Sequence, residues 1–176
     1  GVLGILFYKV IKQHLMGNAW VVLVSLFVGG VAIIVFEKIF TSDKSSSDLE
    51  SISYGNAFLI GLGQSLSMVP GVSRAGATIL TGMALGVGRK AIVEFSFLLA
   101  IPTMLAASGL DLLKNREILL SSNLGLLAFG FLTSFIVAIL GIKFFLKFIE
   151  SHRLTAFGIY RMALALIYAI FFLKIV

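Results

Sequence analysis

Cysteine is absent from the 176 residues, and charge is scarce: Asp, Glu, Lys and Arg together make up 12% of the chain. The first absence excludes a disulfide framework and a thiolate metal site. The second, beside 59% apolar residues and a mean hydropathy of +1.09, lies far outside the soluble globular range. It implies an all-α, polytopic membrane protein with no soluble domain. Histidine occurs only as His14 and His152, each in a short polar turn that reads as a membrane interface. The net charge of +6 is spread over short loops, with no basic stripe interleaved with exposed aromatics, so it reads as membrane-flanking charge and excludes a nucleic-acid face.

Proline is almost as rare, and one of the two, Pro70, lies in the stretch that organises the chain, residues 61–88, GLGQSLSMVPGVSRAGATILTGMALGVG. Here Gln64, Ser65, Ser67, Ser73, Arg74 and Thr78 interrupt apolar sequence, and a charge at membrane depth costs several kcal/mol or more without a partner, a ligand or water. Pro70-Gly71 breaks any helix running through it, since proline lacks the N–H and glycine loses the most backbone entropy. Each apolar arm beside the break is about ten to fifteen residues, shorter than the ~20 of a crossing helix. The stretch therefore predicts a re-entrant pair of short helices over 54–88, with its tip at residues 71–76. Irregular backbone at that depth is tolerated only where it is buried or lines a wet cavity, which makes the tip a candidate binding site.

A helix starting near Ser73 would put Arg74 and Thr78 on one face, four residues apart. Its unpaired N–H groups, positive dipole end, guanidinium and hydroxyls suit phosphate. Gly71 and Gly76 would let backbone approach the anion closely. The run half-matches a nucleotide P-loop, GxxxxGxT, but Ala77 stands where the lysine belongs and no strand precedes it, so that reading is rejected. The competing reading is that Gly and Ser only permit close helix packing, which the spacing of Gly82 and Gly86 also suggests.

In chain order, residues 1–10 read as the tail of a helix whose start is missing, so the chain is expected to be an N-terminally truncated fragment, with 1–40 the end of a first half. Residues 19–36 form a span, with Trp20 at one interface and Glu37-Lys38 at the other. Residues 41–53 are a polar linker. After the re-entrant pair, 91–176 hold three spans, at 91–113 with a kink at Pro102, 124–148 and 155–176. The faces joined by these spans carry seven basic residues (Lys38, Lys44, Arg89, Lys90, Lys143, Lys147, Arg153) against five (Lys9, Lys12, Lys114, Arg116, Lys174). That bias puts the first face in the cytoplasm and the C-terminus outside.

Gln64, the run from Pro70 to Thr78 (PGVSRAGAT) and the run from Glu94 to Pro102 (EFSFLLAIP) together resemble the undecaprenyl-diphosphate phosphatases of the bacitracin-resistance type, and the likeness runs on to Ile159-Tyr160-Arg161. The resemblance implies an integral membrane hydrolase of the bacterial plasma membrane. It would convert undecaprenyl diphosphate to undecaprenyl phosphate and inorganic phosphate, recycling the lipid carrier of cell-wall synthesis. It also implies an inverted repeat, of which this chain would be the second half, with the site between two re-entrant tips. The family's motif carries over to Ser73, Arg74 and Thr78 as catalytic groups, with Gly71, Gly76, Gln64 and Arg161 binding substrate. Ala75 departs from the family's usual serine. The family's glutamate-rich segment and its Pro-Val-Ser-Ser…His segment have no counterpart here. A divalent cation, Mg or Ca, is implied by the family, with its ligands expected in the missing N-terminal part. The fragment alone is therefore expected to be inactive, its partners being the polyprenyl diphosphate, the bilayer and that missing half. Glu94 reads as a structural partner of Arg89 or Lys90, or as a helix cap. Arg161 lies about two turns into the last span and reads equally as a second phosphate contact or a structural pairing. The alternative function is a transporter or flippase for an anionic polyprenyl lipid, since broken helices in inverted repeats are the usual build of carriers.

Overall fold

The computed structural model describes residues 11–40, 48–115 and 124–175. The expected helix tail at 1–10, most of the linker (41–47) and the loop at 116–122 lie outside the described residues. A π-helical turn, Ile11–Leu15, leads through Gly17 and Asn18 into α1, Ala19–Ile39. A single 3-10 turn, Leu49–Ser51, precedes α2, Tyr54–Gln64. A second, Ser65–Met68, leads to the break before α3, Arg74–Ala84. Three long helices follow: α4, Arg89–Lys114, α5, Leu124–Ser151, and α6, Thr155–Ile175.

The helix starts are written in short polar side chains. The carboxamide oxygen of Asn18 accepts from the Trp20 and Val21 N–H groups at 3.0 and 3.4 Å, and the Ser53 hydroxyl accepts from Asn56 N–H at 3.2 Å. Each cap satisfies donors that a helix start otherwise leaves orphaned. Three helices, Ala19–Ile39, Arg89–Lys114 and Leu124–Ile149, are long and apolar enough to cross a membrane, with Thr155–Phe171 a shorter apolar segment. At 1.5 Å per residue, α1 is about 30 Å long, the thickness of a hydrocarbon core, whereas α2 and α3 reach roughly half of that.

The chain divides into two compact units. Residues 1–93 and 153–176 form the first, in which α1 packs along α6 and against α3, and α2 packs antiparallel on α3 as a hairpin. Small residues let these backbones close. A Cβ on Gly30 would lie 2.7 Å from the Gly158 carbonyl oxygen where α1 crosses α6, and one on Gly63 would run into the Thr81 side chain where α2 meets α3. Ile33, Ile60, Ile79, Met83, Ile92 and Val93 fill the interior of this unit. The second unit, residues 94–152, holds the rest of α4 and α5; Phe97 meets Phe145 edge-on within it, with ring centroids 5.8 Å apart. Along α5, side chains such as Phe129, Phe131 and Leu140 are exposed, as expected where acyl chains rather than water surround the helix.

One expectation needs correction. Glu37 is not an interfacial anchor: it is 2% exposed, its Oε1 lies 3.1 Å from Arg89 Nη2, and its Oε2 accepts from the Thr155 hydroxyl at 3.1 Å. The pair lets α1 run on to Ile39, three residues past the expected end, because Glu37 meets a counter-charge instead of water. Arg89, one of the alternatives offered as a partner for Glu94, pairs with Glu37. α4 runs on through Pro102, as a span over these residues requires, with the Thr103 hydroxyl donating to the Leu99 and Ala100 carbonyls at 3.0 and 2.9 Å.

Candidate functional site

The break between α2 and α3 is built by Val69-Pro70-Gly71-Val72. The Val72 N–H donates to the Val69 carbonyl at 3.0 Å, and Gly71 has φ +90°. Proline then glycine at positive φ, closed by that bond, is a type II β-turn, and it explains why the dipeptide ends one helix and aims the next. Gly71 is required twice over: a Cβ there would also lie 2.6 Å from the Val22 carbonyl oxygen of α1.

After the turn, Ser73 caps α3, accepting from Gly76 N–H at 3.1 Å, while its backbone carbonyl takes the Ala77 N–H at 2.8 Å. The cap oxygen is an acceptor in this bond, so the Ser73 hydroxyl keeps its own proton to donate. Arg74 is the first residue of α3 and is half-buried. Gly76, expected to admit an anion, is drawn into the cap instead, with its Cα facing the Ser73 side chain. Thr78 does share the Arg74 side of the helix, but it is 0% exposed. Its hydroxyl donates to the Arg74 carbonyl at 2.9 Å and lies 3.1 Å from Gln64 Oε1. Thr78 and Gln64 are thereby joined to each other across the hairpin.

Ser73 and Gly76 open onto a cavity of about 560 Å³ between α1 and the hairpin. Its walls are apolar, with Val24, Val28, Ile33, Phe36, Leu66 and Leu80 among them, and its few polar groups include Ser25, Ser73, Thr81 and Arg161. Arg74 is not among the lining residues. Arg161 reaches in from α6 and donates from Nη2 to the Gly71 carbonyl at 2.8 Å, with the Ser25 carbonyl at 3.5 Å. The structure thus gathers Ser73, Gly76 and Arg161 around one cavity, ties Gly71 to it through Arg161, and sets Thr78 and Gln64 inside the hairpin. Sequence reasoning missed Ser25 and Gly29. The only signal for them is a serine and a glycine pair inside an otherwise apolar run, residues 19–36.

Among the described residues, no group of three or more His, Asp or Glu side chains converges as a metal site would require. The divalent cation implied by the resemblance is expected to take its ligands from other residues, and no step below is routed through it.

A membrane protein with a capped, arginine-bearing hairpin tip beside an apolar cavity has the build of an enzyme or carrier for an anionic lipid. The chain belongs to the bacitracin resistance protein BacA family, whose model matches residues 1–167. It is 46% identical over 173 residues to the undecaprenyl-diphosphatase of Aquifex aeolicus (strain VF5), covering 98% of this chain and 68% of that protein. It is 43% identical over 174 residues to the undecaprenyl-diphosphatase of Persephonella marina (strain DSM 14350 / EX-H1), again covering 98% of this chain and 68% of the relative. A third, from Methanococcus aeolicus (strain ATCC BAA-1280 / DSM 17508 / OCM 812 / Nankai-3), is 40% identical over 175 residues, covering 99% and 68%. The family match, running from the first residue, gives no support to the expectation that the chain is only the C-terminal half; the chain spans about two thirds of these relatives' length.

Proposed function

We propose that this protein is a membrane hydrolase that converts undecaprenyl diphosphate to undecaprenyl phosphate and inorganic phosphate at the tip of the α2–α3 hairpin. The observation that carries the reading is the start of α3: Ser73 and Arg74 stand at a helix N-terminus that opens beside an apolar cavity. In the reaction a water oxygen bonds to the terminal phosphorus, the bond from that phosphorus to the bridging oxygen breaks, and the bridging oxygen leaves on the lipid monophosphate. Phosphoryl transfer of this kind depends chiefly on positioning and on neutralising charge spread over the phosphoryl oxygens. Arg74 supplies a planar fork for two of those oxygens, and the Ser73 hydroxyl donates a third bond. The helix dipole adds positive potential at this end. Gln64 and Thr78 hold the two arms so that this constellation keeps its shape. The protein would act in the bacterial plasma membrane, recycling the lipid carrier for cell-wall synthesis, and so confer bacitracin resistance.

The decisive assay is release of inorganic phosphate from undecaprenyl diphosphate by the full-length protein in mixed micelles. Stoichiometric phosphate and lipid monophosphate support the hydrolase. Transfer of intact lipid diphosphate between leaflets of a vesicle, with no phosphate released, would replace it with the carrier reading that the broken helix also suits.

A further inference from the structure

The Gly71–Val72 peptide lies one residue before Ser73 and Arg74, which start α3, and it is held on both edges. Its N–H donates to the Val69 carbonyl at 3.0 Å, and its carbonyl accepts from Arg161 Nη2 at 2.8 Å. The first bond is local to the turn. The second comes from α6, 90 residues further along the chain. Arg161 Nη2 also lies 3.5 Å from the Ser25 carbonyl, so one guanidinium nitrogen touches both α1 and the tip. Its Nε is buried and has no hydrogen-bond partner among the described residues. Room for the side chain comes from Gly29: a Cβ there would lie 2.8 Å from Nη2. A half-buried guanidinium beside an apolar cavity costs free energy, so its placement on a backbone carbonyl calls for a function.

We infer that Arg161 is a positioning residue of the phosphatase reaction, a clasp from α6 that fixes the tip peptide and through it the aim of Ser73 and Arg74. The inference rests on the reading of the site given above. Glycine at positive φ has the freest backbone of any residue, and rotation about its ψ swings the plane that follows. A charge-assisted bond to the Gly71 carbonyl removes that freedom where a few tenths of an ångström at Ser73 matter to the chemistry. Gly29 and the Gly30–Gly158 crossing belong to the same device, because they bring α6 close enough for Arg161 to reach.

The test uses the full-length protein with Arg161→Ala, Arg161→Lys and Gly29→Ala, read in two ways. The first is hydrogen exchange of the tip segment, residues 69–73, which needs no activity. The second is kcat and KM for phosphate release. Arg161→Ala should speed tip exchange and lower kcat about tenfold or more, with KM within about twofold, as expected for a lost charge-assisted bond that acts on orientation. Arg161→Lys, able to reach one carbonyl, should recover part of both. Gly29→Ala, which keeps Arg161 but crowds it, should show the same signature in weaker form. Unchanged tip exchange in Arg161→Ala overturns the clasp. A rise in KM alone, with kcat intact, makes Arg161 a substrate contact and equally overturns it. If the unaltered protein releases no phosphate, the functional reading fails, while the exchange data still decide whether Arg161 holds the tip.

Discussion

The two ends of α3 solve the same structural problem by opposite means. Both turn on a glycine at positive φ, Gly71 at +90° and Gly86 at +80°. At the far end the chain closes itself. The Gly86 N–H donates to the Met83 carbonyl and the Val87 N–H to the Gly82 carbonyl, both at 3.0 Å, the paired bonds of a Schellman cap. Nothing lies within 4 Å of where a Cβ on Gly86 would stand. At the tip, α1 presses a backbone oxygen against Gly71 and α6 extends an arginine to its carbonyl. The charges differ in the same way. Arg89, just beyond the Schellman end, meets the carboxylate of Glu37. Arg161, at the tip, meets carbonyls, and no carboxylate pairs with it among the described residues. A neutralised charge holds helices together; one left positive beside a cavity can also favour an anion. The comparison teaches that one short helix has a structural end and a chemical end.

The contrast is sharpest at Arg74. If the tip is the chemical end, Arg74→Ala should lower turnover per folded molecule by roughly a hundredfold or more, about 3 kcal/mol, with the protein still folded in the membrane. Arg74→Lys should also lose much of the rate, because the ammonium lacks the planar fork. Specific activity set against folded fraction measures this. Near-normal turnover by Arg74→Ala would erase the distinction between the ends.

Glu37 is the converse case. Glu37→Ala should leave Arg89 without its counter-charge and Thr155 without its acceptor, costing about 2 kcal/mol of stability, since Arg89 is partly exposed and water softens the loss. Thermal unfolding in detergent should show it, while the rate per folded molecule stays unchanged. Arg89→Ala added to Glu37→Ala should restore part of the stability, the coupling expected of a buried pair. A fall in turnover without a fall in stability would give this end a chemical role too.

These two residues also show what could be read in advance. The helix break at Pro70-Gly71, the cap at Ser73 and the long apolar spans depend on a few neighbouring residues, so they were legible. Glu37 was not, because its partners stand far off in the chain, Thr155 by 118 residues, and hydropathy alone makes a charge at the end of a span an interfacial anchor. Thr78 and Gln64 were legible as polar outliers but not as partners of each other. Helical spacing puts Thr78 on the Arg74 side without saying whether that side meets an anion or the other arm of the hairpin. The cavity itself depends on how α1 lies over the tip, which no local pattern encodes.

Thr78 therefore tests which end it serves. Thr78→Val keeps the shape and removes the hydroxyl that faces both the Arg74 carbonyl and Gln64 Oε1. The expected cost is about 1 kcal/mol of stability, with a smaller change in turnover than in either Arg74 variant. A loss of rate as large as that of Arg74→Ala, at full stability, would return the Thr78 hydroxyl to the phosphate.

The smallest effect belongs to Gly86. Adding a methyl there meets no atom, so the only penalty is conformational: an L side chain at φ +80° crowds its own carbonyl, costing about 1 kcal/mol. Gly86→Ala should lower the unfolding midpoint slightly and leave kcat and KM alone. Gly86→Asn should cost less, because asparagine tolerates the left-handed region. The same methyl at Gly71 would carry this penalty and also collide with Val22 of α1, so its cost should exceed that of Gly86→Ala and extend to turnover. Equal effects at the two glycines would mean that α1 yields freely at the tip, and the outside support that sets the chemical end apart from the structural one would be gone.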